Sequence, residues 1–192
     1  METKRIFIAI KINNTDQICA IFRQVQLDLK DEWIKWVNLK GLHITMGFIG
    51  ATDVRKIGLI VNRLKSSACN FSPFRLQLKS VGAFPSLNKA RVLWIGVDSD
   101  DLIYELRKDI LKQLEYIVEI SDTRFSPHLT IGRIKHGVKN PDEVKRILES
   151  HESWEGEELL ISNFVLMESK LAKHGPIYEV MDHFELSGPA SH

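Results

Sequence analysis

Residues 5–12 form a short run dominated by isoleucine, with no proline, and the pattern predicts a buried strand. Ile18, Ile21, Phe22, Val25 and Leu29 then recur at helical spacing, which predicts an amphipathic helix from about 15 to 30. Residues 33–37 read as a short strand. Residues 42–49, bounded by Gly41 and Gly50, read as another. A helix is expected over 52–66, with Asp53 in its first turn and Val54, Ile57, Ile60, Val61 and Leu64 turned inward. Residues 74–78 alternate cleanly and 92–97 are apolar, so both are expected as strands, with Gly82-Ala83-Phe84-Pro85 as a bend. Ser99 is the expected cap of a helix from 100 to about 116, striped by Leu102, Leu106, Ile110 and Leu114. A strand is expected over 128–134, and Asn140-Pro141-Asp142-Glu143 is a helix start. Residues 158–168 and 177–186 are expected as two closing strands. Several strands follow one another with no helix between them, so the order points to an α+β fold with mostly antiparallel sheets.

One pattern is written twice. Leu42-His43-Ile44-Thr45-Met46-Gly47-Phe48-Ile49 returns as Pro127-His128-Leu129-Thr130-Ile131-Gly132-Arg133-Ile134, the two histidines lying 85 positions apart. On a strand, side chains two apart share a face, so His-x-Thr presents an imidazole and a hydroxyl together. Packing alone does not require that pair twice. Two such strands would set two titratable rings and two hydroxyl donors around one small anion. Opening a phosphodiester needs one group to deprotonate the attacker and one to protonate the leaving oxygen, and a histidine near its ordinary pKa serves both roles. Thr45 and Thr130 would hold the charge that develops on the phosphoryl oxygens.

Other chemistries fit less well. Zinc commonly takes three or four ligands including Cys, Asp or Glu, and neither motif contains a carboxylate. There is no Gly-x-Ser-x-Gly elbow and no phosphate loop ending in Gly-Lys-Ser/Thr. His136, His151, His174, His183 and His192 have no motif around them and read as structural.

Composition narrows the setting. The 192 residues make one domain the default and leave room for two small lobes. A net charge of +1 disfavours a protein that coats duplex nucleic acid, while allowing a local basic pocket. Two cysteines, Cys19 and Cys69, are too few for a disulfide framework. No apolar run approaches the roughly 20 residues of a membrane helix, and the opening apolar run is too short for a signal peptide. A cytoplasmic protein is expected, with no membrane role and no obligate protein partner, acting as a monomer. The boundaries expected are one domain over 1–187 and a frayed tail over 188–192.

The chain resembles the 2H phosphoesterase superfamily, named for two His-x-Ser/Thr motifs. It is most similar to the branch called RNA 2',3'-cyclic phosphodiesterase, also known as 2'-5' RNA ligase, of bacteria and archaea. Besides the motifs, the resemblance includes the opening Arg5-Ile6-Phe7-Ile8-Ala9-Ile10, then Gly82-Ala83-Phe84-Pro85, Arg91-Val92-Leu93-Trp94 and Phe125-Ser126-Pro127. It ends in Glu168-Ser169-Lys170-Leu171, Gly175 and Tyr178. It implies a bilobal α+β fold, two pseudo-symmetric lobes with antiparallel sheets flanked by helices, each lobe giving one motif to a central cleft. The implied reaction opens the 2',3'-cyclic phosphate of an RNA 3' end, or of a small cyclic-phosphate nucleotide, to a 2'-phosphate, with no metal and no cofactor. Joining of 2'-5' linkages, or binding of a nucleotide or RNA end without turnover, are the alternatives. By resemblance His43 is the acid and His128 the base; the residues alone leave that order open.

The resemblance also places an arginine at 133. Arg133 and Phe48 both lie five positions past their histidine, an odd offset that turns them to the opposite face unless the strand bends. Phe48 is read either as core or as a ring that stacks on the terminal base. Phe125 is read the same way.

Overall fold

Alternation in the first strand sets up two faces. Ile6, Ile8 and Ile10 of β1 (Thr3–Lys11) are fully buried on one side, in the main core, while Phe7 and Ala9 belong to a second, smaller cluster on the other. The structure is a computed structural model and describes residues 2–99, 101–120, 124–172 and 175–189. Along the chain the further elements are α1 (Asp16–Asp28), β2 (Ile34–Trp36), β3 (His43–Asp53), α2 (Val54–Ala68), β4 (Phe74–Phe84), β5 (Val92–Ser99) and α3 (Leu102–Leu114). They continue with β6 (His128–Ile134), α4 (Pro141–Ser150), β7 (Glu155–Ile161), β8 (Asn163–Ala172) and β9 (Gly175–Glu185).

Among the described residues the strands form one antiparallel sheet in the order β7-β4-β5-β6-β3-β1-β8-β9, with β2 paired to β6. The sheet divides into two four-stranded halves that meet where β3 and β6 pair through Ile44 and Leu129. The halves are not the two halves of the sequence. One is β1, β3, β8 and β9; the other is β4 to β7, so the chain passes between them repeatedly. The apolar stripes of α1 to α4 all join the main core on one face of the sheet. The other face carries the small cluster of Phe7, Ala9, Val165 and Met167, with Tyr178 and Val180 against it. Of the described residues, no helix is long and apolar enough to cross a membrane.

Several expectations change. Asp53 is not inside α2 but caps it, accepting from Arg55 N at 2.9 Å. Ser99 is not a cap: its main chain stays in the ladder opposite Leu76, and Asp101 precedes α3. Asp100 lies outside the described residues. The stretch read as one strand over 158–168 is two, because β7 and β8 separate at Ser162 and pair with different neighbours, β4 and β1. In the tail, Ser72 Oγ donates to the carbonyls of Gly188 (2.9 Å) and Pro189 (2.6 Å), and Gly188 N donates to Phe71 O, so these two residues are pinned. Residues 190–192 lie outside the described ones.

Strand β4 runs through the expected bend to Phe84, and Gly82 explains how it packs. A Cβ at Gly82 would come within 2.4 Å of the Trp94 indole, which lies across it from the paired strand. Gly82→Ala should therefore destabilise by about 1–3 kcal/mol through overpacking. Denaturant melts read that loss, and Trp94→Phe, which removes the clashing ring, should restore most of it. Simple additivity of the two substitutions would show that the indole is not the obstacle.

Candidate active site

His43 and His128 stand at the first positions of β3 and β6, and their surroundings repeat as their sequences do. His43 Nδ1 donates to the Gly41 carbonyl at 2.7 Å, and His128 Nδ1 donates to the Ser126 carbonyl at 2.7 Å. A carbonyl only accepts, so each bond fixes the proton on Nδ1 and leaves Nε2 as the nitrogen that titrates. The strands are antiparallel with Ile44 opposite Leu129, which sets His43 beside Thr130 and Thr45 beside His128 on the helix-free face. Cross-strand neighbours of this kind lie about 5 Å apart.

The odd offset of Phe48 and Arg133 is resolved by two matched β-bulges. In β3, Thr45 pairs with Ala9 and Gly47 with Ile8, which leaves Met46 as the extra residue. In β6, Thr130 pairs with Trp94 and Gly132 with Leu93, which leaves Ile131 as the extra residue. Both bulges fall three positions past the histidine. Each reverses the alternation, so Phe48 and Arg133 return to the face of the histidines and threonines. The freed carbonyls find partners outside their own ladder: Arg107 Nε donates to Met46 O at 3.0 Å, and Val37 N donates to Ile131 O at 3.0 Å. The first of these bonds accounts for a buried arginine in α3. The repeated glycines serve the other face. A Cβ at Gly132 would lie 2.8 Å from Ile34, and one at Gly47 would lie 3.4 Å from Ile120.

Electrostatics tie the two strands into one site. Burial holds His43 below its ordinary value of 6.5; its bond to the Gly41 carbonyl opposes this, and the charges of His128 and Arg133 add to the lowering. Aromatic rings wall the imidazoles. His43 lies 5.2 Å from both Phe7 and Tyr178, and His128 lies 4.9 Å from Phe84 in an edge contact. The motifs do not contain these rings. Phe7 alternates with the isoleucines of β1 and so lies on the opposite face from them; Phe84 and Tyr178 had no signal beyond the resemblance.

Phe48 is 46% exposed, with its ring 5.6 Å from Phe7, which removes the core reading. Phe125 is placed differently. It packs edge-on against Tyr104 at 5.4 Å and under the Arg107 guanidinium at 4.7 Å, so it braces the arginine that holds the β3 bulge. A cavity of about 340 Å³ opens beside His128, lined by Lys79, Ser80, Trp94, Tyr104 and Ser126. Among the described residues, no three His, Cys, Asp or Glu side chains gather to hold a metal.

A two-halved antiparallel sheet with one His-x-Thr motif from each half at its seam defines the 2H phosphoesterase class. The chain belongs to the 2'-5' RNA ligase superfamily, whose profile matches residues 16–172. It is 34% identical over 185 residues to an RNA 2',3'-cyclic phosphodiesterase of Archaeoglobus fulgidus, covering 94% of this chain and 99% of that one. It is 34% identical over 178 residues to the protein of the same name from Methanocaldococcus jannaschii, covering 92% and 98%. Solved structures share the fold. One from Thermus thermophilus superposes with a TM-score of 0.80 at 23% identity over 97% of this chain and all of that one. LigT of E. coli, complexed with NADP+, gives 0.69 at 20% identity, covering 97% and 99%.

Proposed function

We propose that the chain is a phosphodiesterase that opens 2',3'-cyclic phosphates at RNA 3' ends to 2'-phosphates, using its two histidines and no metal. The observation that carries this reading is the pair of imidazoles, each held through Nδ1 by the carbonyl two residues back, meeting at one seam under the charge of Arg133. The names of the relatives support the substrate.

A water attacks phosphorus, its proton passes to His128, and the bond to O3' breaks as His43 delivers its proton there. Thr45 and Thr130 donate to the non-bridging oxygens, and Arg133 balances the charge gathering on them. Burial and neighbouring cations favour neutral His43. The phosphate anion of the substrate reverses that balance, because an adjacent negative charge stabilises the imidazolium. His128 faces the cavity, which gives water its approach; Phe48 offers an exposed ring to a base.

Phosphorus NMR of the product tests the reading. A 2'-phosphate formed in the presence of EDTA is expected. A 3'-phosphate would overturn the role of O3' as leaving group, and loss of turnover on chelation would overturn the metal-free mechanism. The cavity beside His128 supports a second reading, because a nucleoside 5'-hydroxyl could enter there in place of water and form a 2'-5' linkage. The ratio of joined to hydrolysed ends on tRNA halves separates the two.

A further inference from the structure

We propose that the helix-free face continues past the histidines as a track for the single-stranded RNA behind the reacting end, running from Arg133 across β2 to Trp33. This rests on the phosphodiesterase reading and adds where the rest of the substrate lies. β2 pairs with β6 beyond its bulge, so Lys35 stands opposite Arg133. The main-chain bond from Lys135 N to Trp33 O extends the same register by one pair. Ile34 and Trp36 pack on the helix side, Trp36 at 5.7 Å from Phe22. Alternation then sets Trp33, Lys35, Arg133 and Lys135 together on the face of His128 and Thr130.

Two features of this strip suit an RNA strand. Two cations stand side by side, Lys35 opposite Arg133. Trp33 is 56% exposed, with Lys139 Nζ over its ring at 4.6 Å and His136 edge-on at 5.8 Å. An RNA strand uses both, since phosphates neutralise the cations and a base stacks on the indole without regard to sequence. The carboxylate that precedes Trp33 in the chain is engaged elsewhere: Glu32 accepts from the main-chain N–H groups of Lys139 (2.8 Å) and Asn140 (3.0 Å). With a net charge of +1, these cations are local, which suits contact with a few nucleotides rather than a long duplex.

Two substrates separate the track from the chemistry: a 2',3'-cyclic mononucleotide, which ends at the site, and a short single-stranded oligoribonucleotide with the same cyclic end. Wild type should show a higher kcat/KM on the oligonucleotide. Trp33→Ala, and separately Lys35→Ala with Lys135→Ala, should lower the oligonucleotide-to-mononucleotide ratio of kcat/KM by about tenfold, as losing a stacked base or phosphate contacts predicts. For a labelled oligonucleotide ending in a 2'-phosphate, the lysine variant should also show a shallower slope of log Kd against log salt, by about 0.7 per lost contact. An unchanged ratio, an equal fall on both substrates, or an unchanged salt slope would overturn the track. Binding that depends on Trp33 and Lys35 without hydrolysis of either substrate would keep the track and overturn the phosphodiesterase reading.

Discussion

His43→Asn and His128→Asn should each lower kcat/KM on a 2',3'-cyclic phosphate by about 10²–10⁴-fold, the contribution expected of a positioned proton donor or acceptor. Asparagine keeps much of the imidazole's bulk, so the ring contacts of His43 with Phe7 and Tyr178 should not collapse and the unfolding midpoint should stay close to wild type. A loss below about threefold at either position would remove that residue from the chemistry. A substrate with sulfur in place of O3' then assigns the roles. A thiolate leaves without a proton, so the variant lacking the acid should recover most of its rate on it, while the variant lacking the base should not. Recovery is expected for His43→Asn. Recovery for His128→Asn instead would exchange the two roles. The surroundings differ in the sense this predicts: His43 is half-buried between Phe7 and Tyr178, and desolvation lowers its pKa, whereas His128 borders a cavity of about 340 Å³.

The paired histidines were legible because their placement depends on a local rule. His-x-Thr shares a face on any strand, and a repeat of the rule does not need a fold to be noticed. The helix stripes were legible for the same reason. What alternation could not supply was the parity of Phe48 and Arg133, because a bulge leaves no fixed mark in sequence. Met46 and Ile131 are ordinary strand residues. At Met46 the carbonyl finds its partner in Arg107, 61 positions away. The division of the halves was hidden for a related reason. Pairing of β1 with β8 and of β4 with β7 joins segments far apart in the chain, and Ser162 ends a strand only because its two sides pair with opposite halves of the sheet. The place of Phe125 under Arg107 is tertiary and leaves no mark in the sequence around His128.

Arg133→Gln should lower kcat by about 10²–10³-fold, the scale of losing one donor aimed at developing charge, with a smaller change in KM. The guanidinium reaches the histidine face only through the Ile131 bulge, and its charge adds to the lowering of the His43 pKa. That gives a second readout independent of turnover. Removing the cation should raise the His43 pKa toward 6.5, visible as an upward shift of its imidazole titration by NMR. The sign carries over to stability. A histidine whose folded pKa lies below its unfolded value binds its proton more readily in the unfolded chain, so the native state is fully favoured above the unfolded value and weakens as pH falls below it. Arg133→Gln should therefore flatten the loss of stability below pH 6.5, read by thermal melts across that range. An unmoved titration would separate Arg133 from the site. A titration that moves with kcat intact would leave the arginine as a neighbour of His43 with no part in stabilising the transition state.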